Sequence, residues 1–132
     1  MSGKAFVDTN VLLYLLAEDD RKASIAETIL KKRPTISVQV LNELASVATR
    51  KFGMSLDEVL EFEQAITAHC TVESLSIDHH DLALSIAKRH GFSIYDSLIV
   101  ASALIADCRT LSTEDLQHGQ VIMTQLKVKS PF

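Results

Sequence analysis

The chain of 132 residues contains no tryptophan, two cysteines and four glycines, and each scarcity closes off a class of function. Cys70 and Cys108 lack CxxC spacing and are too few to staple a small secreted scaffold. Both therefore read as reduced, buried thiols, and the compartment as cytoplasmic. The glycines are too scattered to build a phosphate-cradling loop. No GxxxxGK[ST], GxGxxG or GxSxG pattern occurs, which removes the nucleotide kinase, dehydrogenase and serine hydrolase readings. With aromatics at 5 %, there is little from which to make a stacking platform for single-stranded bases. No apolar run approaches the roughly 18 residues of a membrane span, and Lys4 and Asp8 interrupt the first one, so neither a span nor a signal peptide is expected. Positive charge is also in short supply. A net charge of -4 and a pI near 5.7 argue against a surface that grips nucleic acid everywhere. What remains is a local basic rim, for which Arg21-Lys22, Lys31-Lys32-Arg33, Arg50-Lys51 and Lys88-Arg89 are candidates. Each also reads as an ordinary solvated helix face.

What the chain does have is apolar content, 47 %, enough for one well-filled core, and one domain over residues 1–132 is expected. A short apolar run ends at Asp8, and helical periodicity follows at once through Leu16, then again from Ala23 to Leu30. Pro34 stops that pattern, and Thr35 to Val38 reads as a second strand. Helices are predicted over about Gln39–Phe52, from Ser55 to about Ala68, and over Asp81–Arg89, with a strand at Thr71–Leu75 between the last two. Ile94 to Ala106 is apolar almost all round and marks a buried helix; Arg109–Ser112 is a fourth strand, and a weak fifth lies within Val121–Val128. Such alternation predicts an α/β fold, a parallel sheet of four to five strands covered by helices on both faces.

Four acids fall where this fold places ligands. Asp8 ends the first strand, and in parallel sheets sites lie beyond the strands' carboxyl ends. It reads equally as the N-cap of the next helix. Glu43 shares a helix stripe with Val40 and Val47, where a lone carboxylate is costly to bury unless it sits at the edge and reaches water. Asp96 heads the buried helix, at capping-box distance from Ser93. Glu114 and Asp115 follow the fourth strand, in what is otherwise a solvated loop. Singly each is unremarkable. Together they converge on one edge of the sheet, where like charges would repel unless a divalent cation held them, and an all-oxygen set favours Mg²⁺ or Mn²⁺. His79-His80-Asp81 looks superficially like a metal cluster, but neighbouring side chains point apart, so a solvated helix start is expected there.

In Val7-Asp8-Thr9-Asn10, Asn42-Glu43-Leu44, Tyr95-Asp96-Ser97, Leu111-Ser112-Thr113-Glu114-Asp115-Leu116 and Ser130-Pro131-Phe132, in that order and spacing, the chain resembles PIN-domain proteins, in particular VapC-type toxins of toxin-antitoxin pairs. The resemblance implies a three-layer α/β/α fold and a metal-dependent endoribonuclease in which Asp8, Glu43 and Asp96 bind Mg²⁺ or Mn²⁺. Asp115 is the fourth acid, with Glu114 as the alternative for that place. It also implies that Thr9 and Asn10 orient Asp8, that Thr113 bonds near the metal, and that the partners are RNA, a VapB-like antitoxin and a second copy of the chain. Arg50 and Lys51 are the candidate RNA contacts. Apolar positions in Val11–Leu16, Ile25–Leu30 and Leu56–Ile66 either line a groove for the antitoxin or fill the domain's own core. Two other readings remain: a housekeeping PIN-domain nuclease that processes RNA, and a catalytically silent PIN-like binding module.

Overall fold

The computed structural model describes residues 4–132; the first three residues of the expected single domain lie outside the described residues. The first strand, β1 (Lys4–Val7), sinks Phe6 and Val7 into the core and stops at Asp8. The Asp8 carboxylate accepts a hydrogen bond from the Thr9 N–H and caps α1 (Thr9–Leu13). The helix is shorter than its periodicity predicts. From Tyr14 to Ala17 the backbone bonds reach back three residues instead of four, a tighter winding that carries the apolar pattern on without an α-helix. Asp19 caps α2 (Asp20–Lys31), which therefore starts three residues before the apolar pattern resumes.

The second strand, β2 (Thr35–Ser37), runs directly into α3 (Val38–Phe52). Gly53 ends that helix in the left-handed conformation (φ 62°) that glycine adopts without steric cost. Ser55 and Glu58 form a reciprocal cap for α4 (Leu56–Thr67). After β3 (Thr71–Glu73), α5 (Ile77–His90) begins four residues earlier than predicted. The cause is His79, whose Nδ1 accepts from the Ser76 N–H and does for this helix end what a Glu or Gln normally does. His79 is buried, which corrects the expectation of a solvated start there.

Next comes α6 (Ile94–Ile105), buried along almost its whole length, and then β4 (Cys108–Ser112). The weak fifth strand resolves into a hairpin, β5 (Val121–Ile122) and β6 (Leu126–Lys129). Its turn has Met123 and Thr124 both at positive φ, a mirror-image turn that normally calls for Asn-Gly, so the sequence gives no sign of it. Burial of Ile122 and Leu126 holds it closed. The sheet order is β3-β2-β1-β4-β6-β5: five parallel strands with β5 antiparallel at one edge, six in all where four to five were expected. Helices flank it as predicted.

That order places the site. From β1 the chain steps outward to β2 and β3, then returns to lay β4 on the other side of β1. The two crossovers diverge at the carboxyl ends of β1 and β4 and leave a crevice between them. Register fixes its mouth: Val7 lies opposite Ser112, and the Asp8 N–H donates to the Ser112 carbonyl at 3.0 Å. Among the described residues, no helix is long and apolar enough to cross a membrane. Cys108 is buried and Cys70 only partly so, both as free thiols.

Candidate active site

Asp8 lies in this crevice with 5 % of its surface exposed. Its two oxygens are separately engaged: Oδ1 accepts from the Thr9 N–H at 2.7 Å and Oδ2 from the Thr113 hydroxyl at 2.8 Å. The same Thr113 oxygen accepts from Asn10 Nδ2 at 3.2 Å and from the Asp115 N–H at 3.1 Å. One buried hydroxyl thus ties the end of β1 to the segment leaving β4. The cap and a place in the crevice, alternatives in the sequence, coexist in Asp8.

Burial pushes the Asp8 carboxyl up to about 7, against the lowering effect of its Thr113 and Thr9 hydrogen bonds; the charges of Asp115 and Glu43 push in the same direction as burial. Glu43 comes from the second turn of α3 and is half-buried. Its carboxyl is raised first by burial and then by the charges of Asp96 and Asp115, while Gln39 and Thr9 offset part of this. Asp96, in the first turn of α6, is raised by burial and by Asp115. Acids from four parts of the chain are therefore linked electrostatically, with Asp115 raising the other three. Sequence reading missed Gln39. It sits one turn before Glu43 on the same helix face, a spacing that would have paired them, and donates Nε2 to the Tyr95 carbonyl.

Glu114 and Asp115, the two alternatives for the fourth acid, differ in their surroundings. Glu114 is turned away: its Oε1 accepts from the Tyr14 hydroxyl at 2.9 Å, and its Oε2 lies 3.8 Å from Lys22 Nζ. Asp115 is instead the acid whose charge reaches Asp8, Glu43 and Asp96. Arg50 and Lys51 lie exposed in the last turn of α3, two turns beyond Glu43. Among the described residues, neither makes a hydrogen bond or ion pair with these acids. Cations at that end also suit the helix dipole.

The donor chemistry fits a hard, hydrated divalent cation. Glu43 Oε1, Gln39 Oε1 and Thr9 Oγ1 are buried without hydrogen-bond partners, and oxygens left so in an acidic crevice are suited to a cation or its water shell. Among the described residues, no three His, Cys, Asp or Glu side chains form a cluster that could by itself hold a metal ion. Mg²⁺ seldom uses such a cluster. It keeps several waters and takes one or two carboxylates plus phosphate oxygens.

The sequence model of the PIN domain matches residues 5–121. The chain belongs to the PIN domain family. A search of curated protein sequences returned no match. Among solved structures, the PIN chain is similar to a toxin-antitoxin complex from Klebsiella pneumoniae, with TM-score 0.73 and 20 % identity over 98 % of each chain. It is also similar to Mycobacterium tuberculosis VapC20, described as a sarcin-ricin loop cleaving toxin, with TM-score 0.69 and 19 % identity over 85 % of this chain and 90 % of that one. DNA-bound VapBC from Salmonella typhimurium gives 0.67 and 20 % over the whole of both chains. At such identities the likeness establishes the PIN fold, and the chemistry must be argued from the residues.

Thr113 offers a direct test of how this PIN site is held together. Thr113→Val keeps the shape but strands Asp8 Oδ2, Asn10 Nδ2 and the Asp115 N–H. The expected loss is about 2 kcal/mol, the usual cost of unpaired buried polar groups, with Thr113→Ser close to wild type. Urea unfolding at pH 7 measures it. Equal stability of the Val and Ser variants would remove Thr113 from this role.

Proposed function

We propose that this PIN domain is a metal-dependent endoribonuclease and the toxin of a VapBC-type pair. The observation that carries the reading is a nearly buried aspartate at the switch point of a parallel sheet, its carboxyl raised by burial and by two further acids brought from α3 and the segment after β4. Asp8, Glu43 and Asp96 would hold Mg²⁺ or Mn²⁺, with Asp115 beside them. When bound, such a cation neutralises charge on the scissile phosphate and lowers the pKa of water toward neutrality.

The chain's own residues do the rest. Thr113 and the Thr9 N–H fix the Asp8 oxygens, and Asn10 holds Thr113, so the carboxylate needs no reorganisation when substrate arrives. Asp115, exposed beside them, would accept a hydrogen bond from the attacking water. No side chain here need act as a covalent nucleophile. Arg50 and Lys51, exposed two turns beyond Glu43 on α3, would offer phosphate contacts in a protein whose net charge otherwise repels RNA. Few aromatics favour a structured RNA recognised by shape over a splayed single strand.

The partner reading is supported by the similar solved complexes, which contain toxins with their antitoxins. In this chain Ile25, Ile29 and Pro131 line a groove of about 440 Å³ suited to an amphipathic antitoxin segment. Val11 and Leu12 do not contribute, because they are fully buried in the domain's own core. Leu56 and Leu60, one turn apart on α4 and 76 % and 57 % exposed, offer an apolar strip to a second copy in a cytoplasmic homodimer.

The deciding experiment incubates the purified chain with a panel of RNAs, including ribosomal hairpin loops and unstructured oligonucleotides, in Mn²⁺, Mg²⁺ or EDTA. Cleavage of a structured RNA in either metal and none in EDTA is expected. Metal uptake without cleavage of any toxin-type substrate, but trimming of precursor RNA, would favour a housekeeping nuclease. Neither metal binding nor cleavage would leave a silent binding module.

A further inference from the structure

Asp115 is exposed and sits in a segment without regular structure, yet its charge reaches all three other acids. A side chain so placed is only as well positioned as its backbone. Its own N–H is held by Thr113, and the residue before it is held far more elaborately. The Glu114 N–H donates to Asn10 Oδ1 at 3.3 Å, and its carboxylate accepts from the Tyr14 hydroxyl at 2.9 Å. Lys22, in the first turn of α2, donates to that same hydroxyl at 3.1 Å and lies 3.8 Å from the second Glu114 oxygen. The Lys22 ammonium also sits over the Tyr14 ring, 4.6 Å from its centre, and 5.4 Å from that of Phe132. Phe132 closes the arrangement edge-on against Tyr14 at 4.7 Å. Tyr14 and Lys22, about a hundred residues earlier in the chain, thus meet on one carboxylate that is not itself turned toward the acids, with Asn10 on its backbone and Phe132 behind Tyr14.

We propose that Tyr14 and Lys22, backed by Phe132, form a clasp on Glu114 that positions Asp115, making Tyr14 and Glu114 positioning residues for the acid cluster. Hydrogen bonds to an ionised carboxylate are stronger than neutral ones, and one donor, one ion pair and a backbone anchor leave Glu114 few orientations. Asp115, the next residue, inherits that restriction. The clasp has a catalytic consequence only if the nuclease reading holds; its structural effect does not depend on that reading.

The test uses Tyr14→Phe, Glu114→Ala, their double variant and Glu114→Gln, whose amide oxygen still accepts from Tyr14. Three quantities are measured on the full chain: amide hydrogen exchange at Asp115 by NMR, Mn²⁺ affinity by calorimetry, and kcat and KM on an RNA that the wild type cleaves. Tyr14→Phe and Glu114→Ala each speed Asp115 exchange about tenfold, weaken Mn²⁺ several-fold and lower kcat about tenfold with KM within twofold. The double variant is no worse than either single one, because both break the same connection, and Glu114→Gln recovers to within about threefold of wild type. Unchanged Asp115 exchange in Tyr14→Phe overturns the proposal, as do losses that add in the double variant. So does a Glu114→Gln protein as inactive as Asp115→Asn, which would make Glu114 an acid of the site. A wild type that neither takes up Mn²⁺ nor cleaves RNA would end the nuclease reading, while the exchange rates still decide the clasp.

Discussion

Asp8→Asn yields a folded protein that cleaves RNA about 1,000-fold more slowly than wild type, or not at all, and whose melting temperature no longer responds to Mn²⁺. The rate follows from what the carboxylate would supply. A bound cation is worth several kcal/mol of charge stabilisation on the phosphate, and about 4 kcal/mol is a factor of 1,000. Stability is set by two effects that oppose each other. The amide oxygen can keep the bond from the Thr9 N–H, but it turns Nδ2 toward a Thr113 oxygen that already accepts from Asn10 and Asp115, so the Thr113 bond is lost. Against that, a carboxyl that burial has pushed up to about 7 is replaced by a neutral group with no desolvation cost of charge. The metal-free change is their difference, about 2 kcal/mol in favour of the variant above pH 7. RNA cleavage, calorimetric Mn²⁺ titration and thermal melts in EDTA separate the two parts. Undiminished metal-dependent cleavage by the Asp8→Asn protein would remove Asp8 from the site.

How much of this site the sequence discloses depends on how local each interaction is. Asp8 is legible because strand, acid and cap are neighbours in the chain. Its capping bond to Thr9 and its place at the strand end are two aspects of one junction. Glu43 and Asp96 are legible only jointly, through the fold class that brings α3 and α6 to the same edge. Glu114 and Asp115 are adjacent and alike, and what separates them is Tyr14 and Lys22, about a hundred residues away, whose contact with Glu114 no periodicity reports. The misplaced elements have the same origin. The turn at Met123-Thr124 is imposed by burial of Ile122 and Leu126 against local preference, and the early start of α5 uses a histidine where a carboxylate or amide is customary. Tertiary packing overrides local signals at these points, whereas the parallel sheet survives because its central strands carry buried apolar residues between helix-periodic segments.

The apparent affinity for Mn²⁺ weakens about 100-fold from pH 7 to pH 5. A cation binds the ionised carboxylate, and in the metal-free protein the Asp8 carboxyl holds its proton up to about pH 7. Below that value each pH unit costs about tenfold in affinity for that one proton. Glu43 and Asp96, also raised by burial and by neighbouring acids, steepen the dependence further. The metal-free fold changes in a related way. Between about pH 4 and pH 7 the folded chain keeps a proton on Asp8 that the unfolded chain, at 3.8, has released. Stability contributed by this group is therefore present below about pH 4, falls as pH rises through the interval, and levels off above about 7. Three pH units at about 1.4 kcal/mol each set the scale at about 4 kcal/mol. Metal acts in the opposite sense: it binds only the folded, ionised site, so the rise in melting temperature between EDTA and Mn²⁺ grows with pH over the range where the metal-free protein loses stability. Calorimetry and melts across pH 5 to 8 follow both, and in Asp8→Asn both pH dependences flatten. An Mn²⁺ affinity constant across that range would mean that the cation binds elsewhere and that the buried carboxyl of Asp8 serves only to cap α1.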